Sequence, residues 1–244
     1  MLHYKRLSIC AFVLLSLFVP SWVVDADMPK AFTIQGVHRI KQLTNYCGPA
    51  TLAMVLRYYG LDVTQEEIGK VIYDRSSGAT NGADMLLYSR ERGFAAYSWN
   101  SSVNDVKKKL AAGFPVIVLQ QNSLEDISGH YRVLTGYDDS TSAFSVLDPY
   151  YEITSMSYTE CEKLWRRMGY WALLIVPSAK DSFKEELDNR NPVVHMDLST
   201  AKFKRGKYQE ALEEAKLALS LEPQNYYAQS MVNKIQIAMG AGAK

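Results

Sequence analysis

Four residues of this chain have types and an order that suit acyl chemistry. Cys47 opens Cys47-Gly48-Pro49-Ala50-Thr51-Leu52, a Gly-Pro turn that runs into an apolar helical pattern reaching about Tyr59 and stopping at Gly60. A thiol at a helix N-terminus feels the positive end of the macrodipole, which favours the nucleophilic thiolate. Gln42, five residues upstream, carries an amide able to donate to a developing oxyanion beside the Cys47 backbone N–H. His130, in Gly129-His130-Tyr131, stands at the start of a strand, where its side chain can project into a cleft. Asp148, in Asp148-Pro149, closes the next strand eighteen residues on. A hairpin of that length can set the two ends side by side. A carboxylate beside an imidazole fixes its tautomer and stabilises the imidazolium.

Each residue alone is ordinary; the combination and order carry the signal. The competing use of Cys47 is a disulfide with Cys161, which two cysteines cannot exclude. Against it, Cys161 falls on one face of a short helix, Thr159 to Trp165, where a lone cysteine is a small buried hydrophobe. His38 and His195 have no supporting context. There is no His-Glu-x-x-His, no Cys-x-x-Cys and no Gly-rich phosphate loop, so neither a metal nor a cofactor is expected. A formal charge of +1 over 244 residues implies no pull toward nucleic acid or anionic lipid.

The elements that must position these residues follow from patterning. Thr64-Gln65-Glu66-Glu67 is a capping box opening a helix toward Tyr73. Asp74 to Gly82 reads as a polar loop. A third helix runs from Ala83 to Arg92, and a fourth from Ser102 and Asp105 to Gly113. Strands follow at Pro115–Gln120, Tyr131–Tyr137, Phe144–Leu147 and Tyr170–Val176. Helices first and antiparallel strands later indicate an α+β domain over 31–178. The segments 76–81 and 121–128 are the expected cleft walls.

Both ends differ in texture. Lys5 and Arg6 precede an uncharged run from Leu7 to Val24, then small residues before Asp27, which reads as a secretory signal peptide over 1–26 carrying His3 and Cys10. An uncleaved membrane anchor is the alternative. The expected location is periplasmic or extracellular. Residues 179–192 are polar and charged, a linker or solvated helix. From 193 to 240 the pattern around Gly206, Tyr208, Ala211, Ala215, Ala218 and Pro223 resembles a tetratricopeptide repeat, in which Gly206 and Ala211 let two helices approach closely. A third helix would run from Tyr226 to Met239. Such a unit needs stacking neighbours to bury its face, so a protein partner is a candidate. The rival is a generic helical hairpin.

Gln42 with Cys47-Gly48-Pro49-Ala50, Gly129-His130-Tyr131 before Val133, Gly136-Tyr137-Asp138, and Asp148-Pro149 resemble the bacteriocin-processing, double-glycine cysteine peptidases from about Ala31 to Pro177. The resemblance implies a papain-like fold and a peptide or protein substrate, cleaved in the best-known members after Gly-Gly in a leader. It implies Cys47 as nucleophile, His130 as general base and acid, Asp148 as orienter and Gln42 as oxyanion donor. The signal and the helical tail point to a stand-alone exported member rather than a transporter-linked one. Two other functions use the same residues: a non-catalytic peptide-binding adaptor acting through the tail, and acyl transfer to an amine in place of water.

Overall fold

The computed structural model describes residues 28–241. The expected leader, with His3 and Cys10, lies outside them. In chain order the elements are β1 (Ala31–Thr33), α1 (Cys47–Tyr58), α2 (Gln65–Ile72), β2 (Tyr73–Asp74), β3 (Ala79–Thr80), α3 (Gly82–Glu91), β4 (Phe94–Asn100), α4 (Val103–Ala111), β5 (Val116–Gln121) and β6 (Gly129–Asp138). They continue with β7 (Ala143–Leu147), β8 (Ser155–Ser157), α5 (Tyr158–Arg166), β9 (Trp171–Pro177), α6 (Lys184–Leu187), α7 (Pro192–Lys204), α8 (Tyr208–Leu221) and α9 (Tyr226–Ala241).

An antiparallel sheet in the order β4-β9-β5-β6-β7-β8 forms the frame, and β1 pairs with the far end of β6, beyond the stretch that β5 covers. Helix α1 lies against β6 and is buried from Gly48 to Leu56. A helix apolar on every side belongs in an interior, and this one is the axle on which Cys47 is mounted. The Thr64 capping box is present in both directions, with Glu67 N–H donating to Thr64 Oγ1 at 3.2 Å and Thr64 N–H to Glu67 Oε2 at 2.8 Å.

Four expectations change. Helices do not all precede strands: β4 lies between α3 and α4 and pairs along its length with β9. Its sequence, Phe94-Ala95-Ala96-Tyr97-Ser98-Trp99-Asn100, lacks apolar alternation because Ala96 to Trp99 are all buried, with α7 covering one face. The loop over 74–82 contains the small hairpin β2–β3. Residues 179–192 are not a solvated linker. Leu187 is buried, Asp188 bonds Arg90 at 2.8 Å, Asp181 accepts from Tyr97 Oη at 2.5 Å, and Asn191 Nδ2 donates to Ser98 O at 2.7 Å. Two of the charges that suggested solvent, Asp181 and Asp188, are anchors, while Lys184, Glu185 and Arg190 are exposed.

The fourth change concerns the C-terminal helices. Val194, Leu198 and Ala201 of α7 belong to the main core, while Ala211, Leu212 and Ala215 of α8 pack with Val232 and Ile235 of α9 in a small cluster of their own. Ala211 is fully buried and its carbonyl accepts from Ser199 Oγ at 2.8 Å, as a close α7–α8 approach requires. Gly206 has a different reason: its φ is +72° and a Cβ there would meet nothing, so the turn needs glycine for its backbone angle, not for packing.

Candidate active site

Cys47 is the first residue of α1, reached through Asn45 at φ +61° and Tyr46, which supplies no side-chain cap. The uncapped helix end leaves backbone donors for the thiolate. Gly48 must be glycine, because a Cβ there would lie 2.7 Å from Thr80 Cβ in the opposite wall. Cys47 is thus pressed against β3 from the start of its helix.

His130 and Asp148 meet as the hairpin argument anticipated. His130 Nε2 lies 3.0 and 3.1 Å from the two Asp148 carboxylate oxygens, and both side chains are buried. That leaves Nδ1 free of Asp148, and His130 and the Cys47 thiol, in the same cleft, favour each other's charged form. Burial pushes the thiol up, but the His130 hydrogen bond, the imidazolium charge and the N–H groups of Tyr131 and Gly48 outweigh it and hold Cys47 below the ordinary thiol range. Burial likewise opposes the His130 charge, yet hydrogen bonds to Asp148 and Cys47 raise the imidazole. Asp148 is lowered in spite of burial, by His130 and Arg132 and by donation from the turn that follows.

That turn is tightly built. Tyr150 N–H and Tyr151 N–H each donate to Asp148 Oδ1 at 2.7 Å, and Arg132 Nε donates to Oδ2 at 2.7 Å. Arg39 Nε donates to the Asp148 carbonyl at 2.5 Å, and its Nη2 reaches the carbonyls of Tyr150 and Tyr151 at 3.2 Å. Sequence reasoning missed both arginines. Arg132 shares a strand face with His130, two residues away, and that period was its one available signal.

Gln42 lines the same cleft as Cys47 and His130, and its buried Oε1 has no donor within reach. Its backbone is pinned from three directions. Gln42 N–H donates to Pro149 O at 2.9 Å, Gln65 Nε2 donates to Lys41 O at 2.9 Å, and Leu43 N–H donates to Gln65 Oε1 at 2.9 Å. Gln65, the first residue of α2, therefore clamps the peptide on each side of Gln42. The cleft holds about 1340 Å³ and is walled by 77–82 and by Asn122, Asp126 and Ser128, the two expected segments.

Two other expectations resolve here. Cys47 and Cys161 are both free, so they form no disulfide. His195 sits between α7 and α8, with Nδ1 2.7 Å from Glu214 Oε2 and Nε2 3.2 Å from Asp188 O. Both ring nitrogens are occupied, which makes it a tie between elements. Among the described residues no His, Cys, Asp and Glu gather in a metal-binding group, and no helix is long and apolar enough to cross a membrane.

The sequence model of the Peptidase_C39 like family matches residues 34–173, more than half of the chain and the whole stretch that carries these side chains. The chain belongs to that family. Among solved structures, a putative C39-like peptidase from Bacillus anthracis is 18% identical, the match covering 60% of this chain and 97% of that one at a TM-score of 0.49. The peptidase domain of Streptococcus ComA, a bi-functional ABC transporter of a quorum-sensing pathway, is 20% identical, covering 58% and 99% at 0.48. A double glycine motif protease from an AMS/PCAT transporter, in complex with the leader peptide, is 22% identical, covering 60% and 98% at 0.48. No curated protein matches. Membership rests on the family match. The C39-like region ends within β9, so α7 to α9 lie beyond it.

Proposed function

We propose that this protein is an exported cysteine peptidase that hydrolyses a peptide bond through Cys47, His130, Asp148 and Gln42. One observation carries the reading: His130 shares a cleft with the Cys47 thiol and is hydrogen-bonded to the buried Asp148 carboxylate at 3.0 Å. The thiolate Sγ attacks the carbonyl carbon. The oxyanion so formed is received by the Gln42 amide and the Cys47 N–H. His130 gives its proton to the leaving amine, and a thioester remains on Cys47. Water, deprotonated by His130, attacks the thioester; the acid leaves and the thiol is restored.

Export rests on the leader pattern over 1–26, and the helices over 193–240 are proposed as a tetratricopeptide-like unit offered to a protein partner. Support for the latter is the small separate core of α8 and α9 and their exposed Tyr226, Tyr227 and Ile237. The test is selective labelling of Cys47 by an epoxysuccinyl probe at neutral pH, followed by comparison of exported peptides from wild-type and Cys47→Ala cells. Peptides that accumulate uncleaved in the variant identify the substrate. A Cys47→Ala protein with full biological activity would replace the peptidase with the adaptor reading.

A further inference from the structure

Arg132 is 2% exposed, the second largest fully buried side chain among the described residues, and it bonds the Asp148 carboxylate that His130 contacts. Every arm of its guanidinium is used. Nε donates to Asp148 Oδ2 at 2.7 Å, Nη1 to Gln120 Oε1 at 3.2 Å and to Gln121 O at 3.3 Å, and Nη2 to Asn122 O at 2.8 Å. A buried cation is costly unless paired, and so is a buried carboxylate. Here each is the other's partner, and the fork geometry that only arginine offers spans Asp148 and the edge of β5 together.

We propose that Arg132 is a positioning residue for the triad: with Asp148 it forms a net-neutral pair that orients His130 while sparing the imidazolium the full field of an isolated buried carboxylate. The inference rests on the peptidase reading and deepens it. Asp148 still accepts from Nε2 and fixes the ring, as a neutral amide would. Its charge, however, is balanced 2.7 Å away. His130 can then lose its proton to the leaving amine more readily than beside a lone carboxylate. Nη2 also ties Arg132 to the carbonyl of Asn122, in the cleft wall over 121–128. The groups facing His130 are Cys47 from α1, Arg132 from β6, Asp148 and Tyr151 from the turn after β7, and Asp126 from the loop before β6.

The test needs no peptide substrate. The rate at which iodoacetate alkylates Cys47 in the full-length protein, followed by mass spectrometry of the Cys47 peptide, falls at high pH as the imidazolium that attracts the anion is lost. Arg132→Met is expected to move that alkaline limb up by about one pH unit, and Asp148→Asn to move it down by a similar amount. The double variant, which removes both charges, is expected within about 0.3 unit of wild type. Arg132→Lys keeps the charge and is expected to leave the limb in place while slowing alkylation through the lost fork. If Arg132→Met does not fold, the comparison is Asp148→Asn against the double variant, whose limb must lie higher; equal limbs overturn the proposal. So does a folded Arg132→Met with the wild-type limb. A peptidase reading that fails, through an active Cys47→Ala, leaves this measurement intact.

Discussion

The two free cysteines of the described chain are joined through one polar network and behave oppositely. Cys47 shares its cleft and its ionisation with His130, His130 bonds Asp148, Asp148 bonds Arg132, Arg132 bonds Gln120, and Gln120 Nε2 lies 3.2 Å from Cys161 Sγ. Burial opposes ionisation at both ends. At Cys161, fully buried on α5, the Gln120 amide and the Arg132 charge offset burial only in part, and the thiol is pushed up to about 12. At Cys47 an imidazole and two backbone N–H groups reverse the sign. Reactivity here comes from the partner and the open cleft, not from the residue type.

The sharpest way to break the comparison is to exchange the losses. Cys47→Ala is expected to abolish peptide turnover, by about 10³-fold or more, while Cys161→Ala stays within about twofold. Equal losses in a steady-state assay would mean that the thiols are not distinct. Next in size, removing the offsetting imidazole should make Cys47 resemble Cys161. In His130→Gln the pH midpoint for iodoacetamide alkylation of Cys47 is expected to rise by roughly 2 units or more. The sign follows from Cys47 lying below and His130 above their ordinary values, so wild-type thiolate persists to lower pH than a free thiol's.

Smaller effects belong to the oxyanion arm. Gln42→Ala is expected to lower kcat about 10²-fold with KM nearly unchanged. Gln65→Ala, which frees the peptide on each side of Gln42, is expected to lower kcat about tenfold and to be nearly silent when combined with Gln42→Ala. Additive losses in that cycle would show that Gln65 acts elsewhere. Smallest is Cys161→Ala, expected to cost about 1–2 kcal/mol of stability and a few degrees of Tm by calorimetry, from lost packing and the lost Gln120 contact to its sulfur.

Much of the site was legible in the chain because its signals are local or nearly so. Cys47 announces itself by the apolar helical run that follows it, although Gly48 and Pro49 form the first turn of α1 and not a turn ahead of it, and His130 and Asp148 by the two ends of one hairpin. The segments 76–81 and 121–128 were readable as walls from their polarity between elements. Strand β4 was not legible, since burial on both faces erases the alternation that marks a strand. Residues 179–192 misled because charges that pair with Arg90, Lys109 and Tyr97 look, in sequence, like charges bound for solvent.

The sequence by itself determined the setting of Cys47, the order of the four candidate residues, the capping of α2 and the change of texture near residue 193. Each depends on neighbours within a turn or a hairpin, where chain connectivity dictates who meets whom. Only the tertiary structure decided that Arg39 and Arg132 hold Asp148 from opposite sides, that Gln65 clamps the arm of Gln42, and that α7 belongs to the main core. Those contacts join residues separated by 16 to more than 100 positions, and at such separations the meeting of two side chains is set by the packing of whole elements, which no local pattern encodes.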